Sequence, residues 1–221
     1  MLSIFVVITT YISEYIFPYL IKGIEEVLSK NGYDILLFST HNEKEDEKGG
    51  YEICKYLIDL GHKKIAGLFK EDDIQGIERR KGYINALKEN NIKVDATIIG
   101  KFKTYEEDFY VAGFTKSILE RDERPTAIVC YNDKIAMKVI NIAREKGLRI
   151  PEDLSVVGYD NDETIASALN IRITTIDHPK EKLGEKAAEM LLSLINKDDK
   201  KECFEFEPRI VVKDSVKKID L

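Results

Sequence analysis

The chain has 221 residues, 43% hydrophobic and 33% charged, which suits one large α/β domain or two small lobes with their own cores and excludes a disordered polymer. Its formal net charge is -6 with no dense basic run, which argues against a sequence-independent grip on nucleic-acid phosphates. Cys54, Cys130 and Cys203 are odd in number and scattered, without metal-ligand spacing or a disulfide framework, and read as reduced thiols of a cytoplasmic protein.

Met1–Ile8 is apolar but lacks a basic n-region and a small-residue cleavage site. It reads as a buried first strand, with Ile4–Ile8 apolar on both faces as a parallel sheet requires. No apolar run approaches the ~20 residues that span a membrane. Phe17, Leu20, Ile21, Ile24, Val27 and Leu28 form one helical stripe, with Pro18 in its first turn and Asn31-Gly32 as its left-handed stop. Asp34–Ser39 is the next strand. A helix carrying Tyr51, Cys54, Leu57 and Ile58 stops at Gly61 and leads into strand Ile65–Phe69. A helix over Ile77, Ile84 and Leu87 precedes a weak strand near Thr97–Gly100. The helix with Phe109, Ala112 and Ile118 precedes strand Ala127–Cys130. Asn132 caps a helix buried through Ile135, Val139 and Ala143 and ended by Gly147, and strand Ser155–Val157 follows.

This alternation predicts right-handed β-α-β units on parallel sheet, in which ligands bind beyond the carboxyl ends of the strands. The residues placed there are Thr9-Thr10-Tyr11, Lys70-Glu71-Asp72-Asp73, Lys101-Phe102, Tyr131-Asn132-Asp133 and Asp160-Asn161-Asp162. The set is polar and aromatic, as hydroxyl-rich ligands need: their OH groups donate and accept, and their C–H faces stack on rings. No G-x-G-x-x-G follows a strand, and neither a G-K-[ST] loop nor a G-x-S-x-G elbow occurs, so no enzyme and no cofactor is expected. The run Glu71-Asp72-Asp73 lacks a histidine or a second matched cluster and reads as a solvated loop rather than a metal site.

RPTAIVCYNDKIAMKVINIAREKGLRIPEDLSVVGYD (124–160) resembles the second half of the effector domain of lactose/galactose-type repressors. ITTIDHPKEKLGEKAAEMLL (173–192) resembles that family's return segment, and GHKKIAGLFKEDDIQGIERRKGY (61–83) the entry to its second lobe. TTYISEYIFPYLIKGIE (9–25) and KEDDIQG (70–76) look most like the arabinose-responsive branch. The resemblance implies an α/β, periplasmic-binding-protein-like fold of type I, with two Rossmann-like parallel-sheet lobes around a ligand cleft. Residues 1–61 and 173–196 would form the N-terminal lobe, and 62–172 and 197–221 the C-terminal lobe. It implies a sugar effector, by branch L-arabinose, bound by a homodimer that reaches operator DNA through an N-terminal winged-helix domain not seen in this sequence. A free-standing periplasmic-type sugar-binding protein is the alternative. By motif, Arg79, Gln75, Asp160 and Asn132 would contact sugar, Tyr11, Tyr15 and Phe17 would wall it, Phe102 would stack on it, and His178 would face the cleft. Plainer readings stand beside these: core packing for Tyr11, Tyr15 and Phe17, helix-start duty for Gln75, Asn132 and His178, and a loop cap for Asp160. Against the family pattern, about two β-α units are missing between about Glu45 and Asp46, on the order of sixty residues at ~30 per unit, which leaves the first lobe incomplete.

Overall fold

A computed structural model describes residues 3–9, 30, 33–39, 43–162, 164–165, 170–177 and 207–219. Tyr11, Tyr15, Phe17, His178 and Cys203 lie outside these residues, as does the helix expected over Phe17–Leu28. The chain divides into a smaller unit, Met1–Asn42 with Pro179–Glu205, and a larger one, Glu43–His178 with Phe206–Leu221.

In the smaller unit, β1 (Ser3–Thr9) and β2 (Tyr33–Ser39) pair in parallel, with Ser3 opposite Tyr33 and Thr9 opposite Ser39. Both strands contain the apolar runs from which they were expected.

The larger unit runs α1 (Glu43–Asp59), β3 (Ile65–Lys70), α2 (Ile74–Glu89), β4 (Ile99–Phe102), α3 (Glu107–Leu119), β5 (Ala127–Cys130), α4 (Asp133–Glu145), β6 (Ser155–Tyr159), β7 (Thr174–Asp177) and β8 (Arg209–Val211). Its sheet has the order β4-β3-β5-β6-β7-β8, parallel throughout except for the antiparallel pair β7–β8. Alternate residues of each strand go to opposite faces. Phe69, Val129, Val157 and Tyr159 pack under α1 and α2 with Ile53, Leu57, Tyr83 and Leu87. Leu68, Ile128, Cys130 and Val156 pack on the other face with Val111, Ile118, Ile135 and Val139 of α3 and α4. Helices on both faces explain why the strands read as continuous apolar runs.

The units part at different residues from the expected lobes. Helix α1, expected with the first lobe, places Ile53, Cys54 and Leu57 in the core of the larger unit. Strand β7, expected with the return segment, hydrogen-bonds to β6. Helix α1 also begins at Glu43, well before Tyr51, and runs unbroken across the junction at Glu45–Asp46. Its Gly49-Gly50 would weaken a solitary helix, but here Gly49 makes room for the Tyr159 ring of β6 and Gly50 for the backbone of α2. A Cβ on Gly50 would lie 2.1 Å from the Arg79 carbonyl oxygen, and one on Gly82 would lie 1.9 Å from that of Glu47. Gly61, at φ 93, ends the turn after α1, and Gly147, at φ 78, follows α4, both as the sequence predicts.

The last segment seals the sheet. Beyond β8, Ser215 lies against β6: the Val156 amide donates to the Ser215 carbonyl oxygen, and the Ser215 hydroxyl donates to the Val156 carbonyl oxygen at 2.6 Å. The Ile219 amide donates to the Leu60 carbonyl oxygen at 2.8 Å. The buried His62 sits between the Thr126 hydroxyl (2.9 Å) and the Lys217 carbonyl oxygen (3.1 Å). Burial lowers its pKa and keeps the ring neutral.

Candidate functional site

The carboxyl ends of β3, β5 and β6 bring three loops to one edge of the larger unit's sheet, and Arg79 on α2 joins them. Its side chain is 2% exposed. Nε donates to Asp46 Oδ1 at 2.8 Å, Nη1 to the Tyr131 carbonyl oxygen at 2.7 Å, and Nη2 to Asp160 Oδ1 at 3.5 Å. The guanidinium lies 3.6 Å from the centroid of the Tyr159 ring and 5.0 Å from that of Tyr131. A buried cation requires such partners: two carboxylates balance its charge, and two aromatic faces replace lost hydration. Asp160, at 25% side-chain exposure, is the more open of the two carboxylates.

Tyr131 links this cation to the β3 loop. Its hydroxyl donates to Asp73 Oδ2 at 2.7 Å, and Lys70 Nζ stands 3.3 Å from the same oxygen. Burial, foremost, keeps the phenol protonated by pushing its pKa far up. Asp73 also caps α2, accepting from the Gly76 amide at 2.7 Å. Asn132 caps α4, its Oδ1 accepting from the Ile135 amide at 3.0 Å.

These contacts gather Arg79, Asp160, Tyr131 and Asp46 into one hydrogen-bonded group, with Asp73 and Lys70 attached through Tyr131. Gln75 lies half-buried in the first turn of α2, where Asp73 performs the capping. Phe102 departs from expectation. It ends β4 on the α3–α4 face, fully buried, with its ring edge-on to Tyr131 at 6.1 Å. Its full burial makes it a core residue beside Tyr131. Sequence reasoning missed Asp46, as partner of Arg79, and Tyr159, as its platform. The available signal was Gly50 together with Gly82, which announces a close helix crossing beside Arg79, while Gly49 leaves room for Tyr159.

The group offers carboxylate acceptors, cationic donors and phenol rings, the chemistry that holds hydroxyl-rich molecules. Among the described residues, no cluster of His, Cys, Asp or Glu could hold a metal ion, and no helix is long and apolar enough to cross a membrane.

Residues 54–216 match the periplasmic binding protein-like domain. An arabinose metabolism transcriptional repressor of Geobacillus stearothermophilus is 33% identical over 279 residues, covering 96% of this chain and 76% of the relative. That span is longer than the chain itself, so the alignment crosses positions the chain lacks. An HTH-type transcriptional repressor PurR of Vibrio atlanticus is 43% identical over 176 residues, covering 79% of the chain and 52% of the relative. Among solved structures, the transcriptional repressor ascG of Escherichia coli superposes with a TM-score of 0.76 at 19% identity, covering 98% of this chain and 100% of that one. A LacI family regulator of Enterococcus faecium with bound ribose gives 0.69 at 22% identity, covering 99% and 100%.

Proposed function

Because the chain belongs to the periplasmic-binding-protein-like domain family, as the effector domain of a lactose/galactose-type transcriptional repressor, we propose that it senses a sugar, L-arabinose, and that the sugar relieves repression. The named relatives are transcriptional regulators. The observation that carries the reading is the Arg79–Asp160 pair at the carboxyl edge of the sheet, in a chain aligned over 96% of its length with an arabinose repressor. The fixed fork of Arg79 orients Asp160, whose more open carboxylate can accept from adjacent sugar hydroxyls. The arabinose assignment rests on the relatives' names.

As a regulator the domain acts as a homodimer on operator DNA, through a winged-helix domain of the kind expected for this branch. Sugar shifts the equilibrium between two conformations only by binding them unequally. Calorimetry against a sugar panel tests the assignment. L-arabinose is expected to bind more tightly than D-glucose or D-galactose. Arg79→Ala and Asp160→Ala are each expected to weaken binding by ~1.5–3 kcal/mol, the scale of hydrogen bonds to charged groups. Equal binding of all three sugars, or no effect of either substitution, overturns it.

A further inference from the structure

Behind Asp160 lies a second carboxylate that the sugar reading does not use. Asp133 opens α4 and is 3% exposed. Its Oδ2 accepts from the Asp162 amide at 2.8 Å, and its Oδ1 accepts from the Thr175 hydroxyl of β7 at 2.8 Å. The carboxylate lies flush against β6, since a Cβ on Gly158 would stand 2.0 Å from Oδ1. One side chain thus ties the start of α4 to β7 and to the turn that carries Asp160.

That turn needs restraint. Asp160 has φ 95 and Asn161 φ 51, two successive left-handed residues of which neither is glycine. Such backbone persists only where its surroundings over-determine it. The Asp160 amide donates to the Ile176 carbonyl oxygen at 2.9 Å, and the Asn161 amide to the Thr175 hydroxyl at 3.3 Å. The Asn161 side chain donates to Asp177 Oδ1 at 3.2 Å and accepts from Lys213 at 2.7 Å. The far end of the turn is held by Asp133 through the Asp162 amide.

Resting on the reading of this site as the sugar's, we infer that Asp133 is a positioning residue: it holds the Asp160–Asp162 turn in the conformation that aims Asp160 at Arg79, and so sets the affinity for a polyhydroxy ligand. The charged groups facing it are Asp160 and Lys213, with the buried Cys130 thiol beside it on β5; Asp162 turns its own carboxylate to the Thr164 amide and hydroxyl. Burial raises the Asp133 carboxyl to about 7, against the two hydrogen bonds that favour its charged form; Asp160 adds to the rise and Lys213 opposes it. The anchor of the turn therefore changes charge near neutrality.

Amide NMR on the full chain, with calorimetry beside it, tests this in the unaltered protein and in Asp133→Asn, Asp133→Ala and Thr175→Val. The Asp162 amide is expected to titrate with a midpoint near the Asp133 value in the unaltered chain and to lose that transition in Asp133→Asn. Asp133→Ala is expected to speed exchange of that amide and to weaken L-arabinose binding, each by about tenfold or more, the equivalent of one lost hydrogen bond to a charge. Asp133→Asn, which keeps one acceptor, recovers much of the affinity and flattens its pH profile, which a merely structural role would leave unchanged. If Asp133→Ala does not fold, Asp133→Asn and Thr175→Val carry the test. An Asp162 amide as protected in Asp133→Ala as in the unaltered chain, or an unchanged pH profile in Asp133→Asn, overturns the inference. Failure of the unaltered chain to bind any of the sugars overturns the sugar assignment, and the amides still decide whether Asp133 holds the turn.

Discussion

The Asp133 carboxyl stands at about 7 in the folded chain, against ~3.9 for an unfolded aspartate. Between those values the folded state keeps a proton that the unfolded state has released. Its contribution to stability therefore falls as pH rises through that window, by at most about 1.4 kcal/mol per pH unit, and the cost of the buried charge is fully present above the folded value. This is the reverse of an ion-paired surface aspartate, which stabilises at neutral pH. Asp133→Asn is expected to melt at a higher temperature than the unaltered chain at pH 8, with the advantage shrinking toward pH 4. Thermal melts across that range check it, and an advantage that grew on acidification would contradict the assignment. The same substitution is expected to loosen the pH control of binding, so stability and regulation pull this position in opposite directions.

At the scale of elements, two glycines in helices predict opposite outcomes. Gly82 in α2 meets the backbone of α1, where the Glu47 carbonyl oxygen cannot swing aside. Gly82→Ala is expected to destabilise by about 1–3 kcal/mol through overpacking, despite the better helix propensity of alanine. Gly113, inside α3, is exposed, and an added Cβ meets nothing within 4 Å. Gly113→Ala is expected to stabilise by about 0.5–1 kcal/mol, from propensity alone. Urea unfolding of both variants measures the contrast. Strands β3 to β6 and the helix order of the larger unit were legible because apolar runs and helical stripes record burial directly. Asn132 and Gly147 were legible as cap and stop because each has a local backbone cause. The start of α1 was not, since Gly49-Gly50 looks like a break until Tyr159 and α2 are known to lie against it. The same limit hid Asp46, which is far from Arg79 in sequence and meets it only after α1 and α2 cross. Phe102 misled for a related reason: an aromatic after a strand looks the same whether it faces ligand or backs another ring.

At the scale of the whole molecule, a net charge of -6 predicts that this chain alone has no strong sequence-independent hold on DNA phosphates. Any weak retention is expected to disappear at moderate salt, because it would depend on phosphate contacts. A sequence-dependent gel shift at physiological salt would reveal a reading element within these 221 residues. The division into two units bears on how the molecule is made. The chain completes β7, passes through Pro179–Glu205 of the smaller unit, and only then returns as β8 and the segment to Ile219. A nascent chain therefore reaches the end of β7 with that strand's outer edge unpaired and His62 without its Lys217 acceptor. An open strand edge is a template for pairing with another chain. On a polysome that edge stays unpaired until Arg209–Val211 emerges, and copies that stop short of β8 carry an adhesive β7 edge that β8 otherwise covers.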